Sequence, residues 1–149
     1  MTLTLRPATM EDAMILYVWR NHPSTRAMFR QEHPVDWETH RQWLQDVLVD
    51  PNRTLLVAVR EGQAIGTVRF DLDGSDAEVS VTVSPEHRGV GVGTEILRLG
   101  TEQALLTCDR VVAHIKTSNT ASVRAFQKAG YREVIRTETE VTLYAERSA

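Results

Sequence analysis

Apolar and polar residues along the chain alternate between a strand-like period of two and a helix-like period near four, and the changes of rhythm divide it into elements. Leu3 and Leu5 alternate in an opening strand. Thr9 with Asp12 is a capping-box signature for a helix reaching about Asn21, where His22 and Pro23 end it. Asp36 can cap a second helix that sets Trp37, Leu44, Val47 and Leu48 on one face, and Asp50-Pro51 stops it because proline restricts the residue before it. From Arg53 to Ser84 the pattern reads as three antiparallel strands joined at "EGQ" and "DLDGSD", both hairpin-sized. In the third strand Val79, Val81 and Val83 share one face, and Glu78, Ser80, Thr82 and Ser84 share the other.

Beyond a glycine-rich turn, Leu97, Gly100, Ala104 and Leu105 recur at helical spacing, and the strand "RVVAHIK" follows. The helix "TASVRAFQKA" comes next, with Gly130 as its C′ residue. "YREVIRT" and "EVTLYAER" form a closing hairpin. The expected order is β-α-α-β-β-β-α-β-α-β-β: an α/β (α+β) chain with a mixed, mostly antiparallel sheet of about seven strands flanked by four helices. At 149 residues, with no repeat or linker, positions 1–149 read as a single domain.

Composition changes this picture little. Hydrophobic content of 42% with 25% charged residues is ordinary for a globular protein, and no apolar run is long enough for a membrane helix. The N-terminal stretch lacks the pattern of a secretion signal, and the lone Cys108 excludes an internal disulfide framework, so the cytoplasm is the expected compartment. A net charge of −3 gives no reason to invoke nucleic acid. The five histidines lack metal-ligand spacing, and no metal site is expected. The charge is uneven, however: "RNHPSTRAMFRQEH" gathers Arg20, Arg26 and Arg30 against Glu32 alone.

Candidate chemistry centres on "VSVTVSPEHRGVGVGTEIL". A loop that leaves a strand and opens a helix presents unpaired N–H groups at the positive end of the helix dipole, which suits a phosphate. A nucleoside-triphosphate loop would need lysine after the last glycine, but Gly93 is followed by Thr94 and Glu95. A dinucleotide fingerprint would need glycine at position 94 within a parallel β-α-β unit. What remains is Arg-x-x-Gly-x-Gly, here Arg88, Gly91 and Gly93, directly after a strand.

These residues resemble the acetyl-CoA segment of the GNAT N-acetyltransferase superfamily, and "NTASVRAFQKAGYREV" resembles the segment that follows it in that family. With the element order, the resemblance covers the whole chain. It implies acetyl-CoA as cofactor, its pyrophosphate held by the N–H groups of Arg88, Gly89, Val90, Gly91, Val92, Gly93 and Thr94. It implies backbone pairing of Val81, Thr82 and Val83 with the pantetheine arm, with one of their N–H groups polarising the thioester carbonyl. Asn119 would bond the arm from the other side, and the sheet would splay between this strand and "RVVAHIK" to admit it.

By the same resemblance Glu78 is the first choice for the base that takes the amine's proton. The family usually carries a tyrosine seven residues after the asparagine to protonate the leaving sulfur, whereas this chain has Phe126. Water or Ser122 would then stand in, since a thiolate with a pKa near about 8.5 is a fair leaving group. Tyr131 is read as packing, His114 as structural and Cys108 as inert.

The acceptor is expected against the first two helices. Trp19, Arg20, Asn21, Arg26, Met28 and Phe29 resemble the branch that N-acetylates the 4-amino group of nucleotide-linked sugars in pseudaminic-acid biosynthesis. Trp19, Arg20, Asn21, Arg26 and Phe29 are the candidate acceptor contacts, since arginines and aromatic rings suit an anionic nucleotide. A small-molecule amine is therefore the expected partner. A ribosomal-protein N-terminal acetyltransferase and a weakly catalytic acyl-CoA-binding module stay open as alternatives, and the sequence is compatible with a homodimer.

Overall fold

The computed structural model describes residues 2–28 and 33–147. The elements run β1 (Thr4–Pro7), α1 (Ala13–Asn21), α2 (Pro23–Met28), α3 (Trp37–Val49), β2 (Arg53–Arg60), β3 (Gln63–Asp73) and β4 (Asp76–Val83). Then follow α4 (Val92–Ala104), β5 (Arg110–Lys116), α5 (Thr120–Lys128), β6 (Arg132–Arg136) and β7 (Glu140–Glu146). No helix among the described residues is long and apolar enough to cross a membrane.

Thr9 accepts from Glu11 N, and Asp12 reaches back to Thr9 N at 2.9 Å, closing the capping box on a 3-10 turn, Met10–Asp12, that leads into α1. Arg6 clamps both oxygens of the same carboxylate at 2.9 and 2.8 Å and holds Asp12 below the usual carboxylate range. Asp36 caps α3 by accepting from Thr39 N at 2.9 Å. Pro23 does more than end α1. With its φ fixed and no N–H to lose, it starts the extra helix α2, so three helices precede β2 and five flank the sheet in place of the expected four. The "DLDGSD" link is also tighter than expected: Leu72 pairs with Ala77 and Asp73 with Asp76, leaving Gly74-Ser75 as the turn.

The strands form one seven-stranded sheet in the order β1-β2-β3-β4-β5-β7-β6. Every neighbouring pair is antiparallel except β4–β5, which is parallel and brief. Its register runs only from Asp76↔Arg110 to Glu78↔Val112. Past Glu78 the two strands part, and the middle of the sheet opens.

Apolar side chains cover both faces. Val68, Phe70, Val79, Ile96, Leu97, Val123, Phe126, Val141 and Leu143 form the core under α4 and α5. Leu16, Trp19, Leu44, Val47, Leu55 and Val57 form a second core under α1 and α3. Gly66 makes the close approach between layers possible: a Cβ there would stand 2.6 Å from Thr82 O and 2.8 Å from Ile96 Cδ1. Cys108 is buried, its thiol pushed up by desolvation, and it packs in the core as expected.

Candidate active site

The site is built along β4. Ser84 donates its N–H to Ile65 O on β3 at 2.9 Å, and the β3–β4 ladder runs without a shift. Strand alternation then turns the backbone groups of Ser80 and Thr82 toward β3, and those of Val79, Val81 and Val83 toward the parted edge. Of the three expected pantetheine partners, Val81 and Val83 therefore have N–H groups facing the gap, whereas the backbone of Thr82 is spent inside the sheet.

The gap is a cavity of about 470 Å³ lined by Glu78, Ser80, Val81, His114, Asn119, Ser122 and Phe126. Asn119 caps α5, its Oδ1 accepting from Ser122 N at 3.2 Å. Phe126 is buried with its ring edge-on to Tyr131, 4.9 Å between centroids. Tyr131 shares a 2.6 Å hydrogen bond with Thr101, and burial drives its phenol far above the ordinary tyrosine range. It is a packing residue, as its sequence position implied. His114 Nδ1 lies 3.2 Å from Thr142 Oγ1 and 3.4 Å from Glu140 Oε1.

A second cavity, about 460 Å³, continues the gap over the glycine loop and is lined by Val81, Thr82, Val83, Arg88, Gly89, Gly91, Val92, Gly93, Thr94, Asn119 and Ser122. Two expected donor-site residues fall outside this wall. The Val90 side chain points outward, 71% exposed, and Phe126 belongs to the gap alone. Gly89 and Gly91 sit at φ of 82° and 81°, where an L side chain costs about 1–2 kcal/mol. Glu95 is the first residue of α4 to donate to a helical carbonyl, Gly91 O at 3.3 Å, so the N–H groups of Val92, Gly93 and Thr94 face outward as open donors. Arg124 and Lys128 of α5 add positive charge to this wall, a contribution the sequence reading missed although both lie, four residues apart, on the helix that Asn119 caps. Open amides, positive charge and a slot between strands together fit a diphosphate with an extended thioester tail.

The side chain of Arg88 is directed elsewhere. Nε donates to Val83 O at 3.1 Å, Nη2 donates to Thr25 Oγ1 at 2.6 Å, and Nη1 donates to Ser24 Oγ, both hydroxyls being on α2. Burial lowers its pKa.

A third cavity, about 310 Å³, opens on the other side of β4 and is lined by Leu16, Trp19, Arg20, Thr25, His40, Trp43, Leu55, Thr67, Arg69, Ser80 and Thr82. Ser80 is shared with the gap and Thr82 with the loop cavity, so all three meet along β4. Arg20 and Arg69 lie against the Trp43 ring, 4.9 and 5.6 Å from its centroid. Arg69 also pairs with Asp71 at 3.1 Å. Burial, and then the charge of Arg69, lower the pKa of Arg20. His40 is fully buried between Tyr17, Trp37 and Trp43. Its Nε2 is 3.0 Å from Ala13 O and its Nδ1 is 3.3 Å from Arg20 Nη1, which fixes a neutral ring that donates from Nε2 and accepts at Nδ1. Desolvation lowers its pKa.

The expected acceptor residues divide accordingly. Trp19 and Arg20 line the cavity. The Asn21 amide is committed to the backbone of Val35, donating to its O and accepting from its N, each at 2.8 Å. Arg26 donates to Asn21 O at 3.2 Å. Phe29 lies outside the described residues. Arg69, Trp43 and His40 were missed. A signal existed for Arg69: Thr67, Arg69 and Asp71 alternate on β3 directly opposite Thr82, Ser80 and Glu78.

The sheet parts beside a helix N-terminus and a separate cavity opens across the same strand, an arrangement that fits a transferase drawing its acyl group from an extended thioester donor. The chain matches the acetyltransferase (GNAT) domain family over residues 2–132 and belongs to that family, a class of enzymes whose acyl donor is acetyl-CoA. It is 23% identical over 121 residues to acetyltransferase PseH of Campylobacter jejuni, covering 79% of this chain and 75% of the relative. The fold matches spermidine N-acetyltransferase from Vibrio cholerae, solved with CoA and spermine, at a TM-score of 0.88, 17% identity, and 97% and 95% coverage of the two chains. Aminoglycoside acetyltransferase AAC(6')-Ib, solved with coenzyme A, matches at a TM-score of 0.83, 20% identity, and 98% and 95% coverage.

Proposed function

We propose that the protein acetylates a primary amine on a small anionic acceptor, with a nucleotide-linked amino sugar as the best match. The observation that carries this reading is the acceptor cavity itself: two guanidiniums flank an indole, and none of its described lining residues is a carboxylate. A polyamine or aminoglycoside brings several positive charges and needs acidic partners, whereas a diphosphate relieves the repulsion between Arg20 and Arg69. The similarity to PseH and the resemblance to the branch acting on nucleotide-linked 4-amino sugars support the same acceptor class.

Acetyl-CoA supplies a polarisable carbonyl and a thiolate leaving group. Around it the chain's own groups divide the work. The amides of Val92, Gly93 and Thr94 hold the pyrophosphate, and the N–H groups of Val81 and Val83 face the thioester arm, one of them donating to its carbonyl. Glu78 stands where β4 and β5 part, its carboxylate on the strand face shared with Ser80 and Thr82, and takes the amine's proton directly or through water. Phe126 has no proton to give, so Ser122, in the wall of both donor cavities, or solvent returns one to the sulfur.

The test is release of free CoA from acetyl-CoA across an amine panel. A nucleotide-linked 4-amino sugar should turn over far faster than spermidine, an aminoglycoside or a peptide N-terminus. Preference for a polycation or a peptide would overturn the acceptor assignment, and saturable acetyl-CoA binding with no turnover would favour the binding-module reading.

A further inference from the structure

Arg88 belongs by sequence to the diphosphate loop, yet its guanidinium makes its bonds to Val83 O and to the hydroxyls of Ser24 and Thr25. Those hydroxyls belong to α2, a helix of six residues of which only Thr25 is buried. So short a helix has little stability of its own and takes its order from tertiary contacts. From the far side of the gap, Lys116 at the free end of β5 donates to Ala27 O at 3.2 Å. The helix is therefore tied to both strands that border the gap, through Arg88, whose Nε also bonds Val83 O at the end of β4, and through Lys116 at the end of β5. Met28 lines both donor cavities, and Thr25 forms part of the acceptor wall.

We infer that Arg88 is a positioning residue that couples the donor site to the acceptor site: when the loop backbone is fixed on a diphosphate, its guanidinium fixes α2, and with it the Thr25 wall of the acceptor cavity. The inference rests on the donor reading above, because it needs the coenzyme to hold the loop that carries Arg88. Two features give the coupling a direction. Gly89, next in the chain, holds a φ of 82°, so the loop has a backbone geometry that a ligand can lock. Among the described residues the guanidinium bonds to neutral hydroxyl and carbonyl acceptors, and their alignment with it follows the loop.

The experiment is amide hydrogen exchange of the full chain with and without coenzyme A, alongside calorimetric titration with coenzyme A. In the native protein, coenzyme A should slow exchange at Arg26, Ala27 and Met28 by at least about fivefold, the low end of an ordinary coupling between sites. Arg88→Met should lose that protection while still binding coenzyme A, its affinity lowered by no more than the same coupling factor. Arg88→Lys, which keeps a donor, should regain part of it. The Ser24→Ala/Thr25→Val double variant removes the receiving hydroxyls without touching the loop and should reproduce the Arg88→Met result. A purely structural role would change exchange equally in the free and bound states, and that pattern overturns the inference. So does full coenzyme-induced protection of α2 in either Arg88→Met or the double variant. Loss of coenzyme A binding in Arg88→Met with normal binding in the double variant would place Arg88 on the diphosphate instead. Failure of the native protein to bind coenzyme A would sink the donor reading itself.

Discussion

His40 makes the α1–α3 layer acid-sensitive, and the size of the effect follows from its surroundings. The ring is fully buried, its Nε2–H is donated to Ala13 O, and its Nδ1 accepts from the Arg20 guanidinium. Protonation would place a second positive charge beside Arg20 and replace an acceptor with a donor that faces a donor. Its folded-state pKa is accordingly lowered from 6.5, chiefly by desolvation. For a histidine depressed in this way the unfolded chain takes up its proton first. Stability is therefore full above about 6.5 and is lost as pH falls from there toward the folded-state pKa. One proton contributes at most about 1.4 kcal/mol per pH unit across that window. The assay is urea unfolding at pH 7.5, 6.5 and 5.5 for the native protein and for His40→Gln, whose amide can still donate to Ala13 O but does not titrate. The native unfolding free energy should fall more steeply than that of His40→Gln, by up to about 1.4 kcal/mol per pH unit below 6.5. Parallel pH profiles would refute the reasoning, because the depressed titration would then not belong to His40.

Glu78→Gln should reduce the rate of acetyl transfer by roughly a hundredfold or more while leaving coenzyme A affinity within a few-fold, read from initial rates and calorimetry; an unchanged rate would remove Glu78 from the base role. Gly66→Ala puts a methyl 2.6 Å from Thr82 O, a backbone atom that cannot swing aside, and should cost on the order of 1–3 kcal/mol by thermal unfolding. A variant as stable as the native chain would show that β3 and β4 approach less closely than described.

Much of the fold was legible because its determinants are local. The Thr9–Asp12 box, the Asp36 cap, the Asp50-Pro51 stop and Gly130 as a left-handed helix terminator depend on side chains and backbone within one turn, and each stands as the sequence implied. Helix α2 escaped notice because Pro23 serves equally well to end one helix and to begin another, and only the contacts of Thr25 and Arg88 select the second role. The glycine loop opening α4 was readable from its residues, but Thr82 and Val83 look alike as strand residues until pairing with β3 shows which backbone groups remain open.

The order of apolar and polar residues by itself determined the strands, most helices and a glycine loop opening a helix, since periodicity, caps and turn residues act over a few positions. Tertiary structure alone decided the chemistry of the cavity lined by Arg20 and Arg69. Arg20 of α1 and Arg69 of β3 are 49 positions apart in the chain and come together only because the fold sets both against Trp43 of α3. It also decided the use of Arg88, since a guanidinium long enough to reach either a diphosphate or α2 takes its role from the neighbour that the fold brings within hydrogen-bond distance.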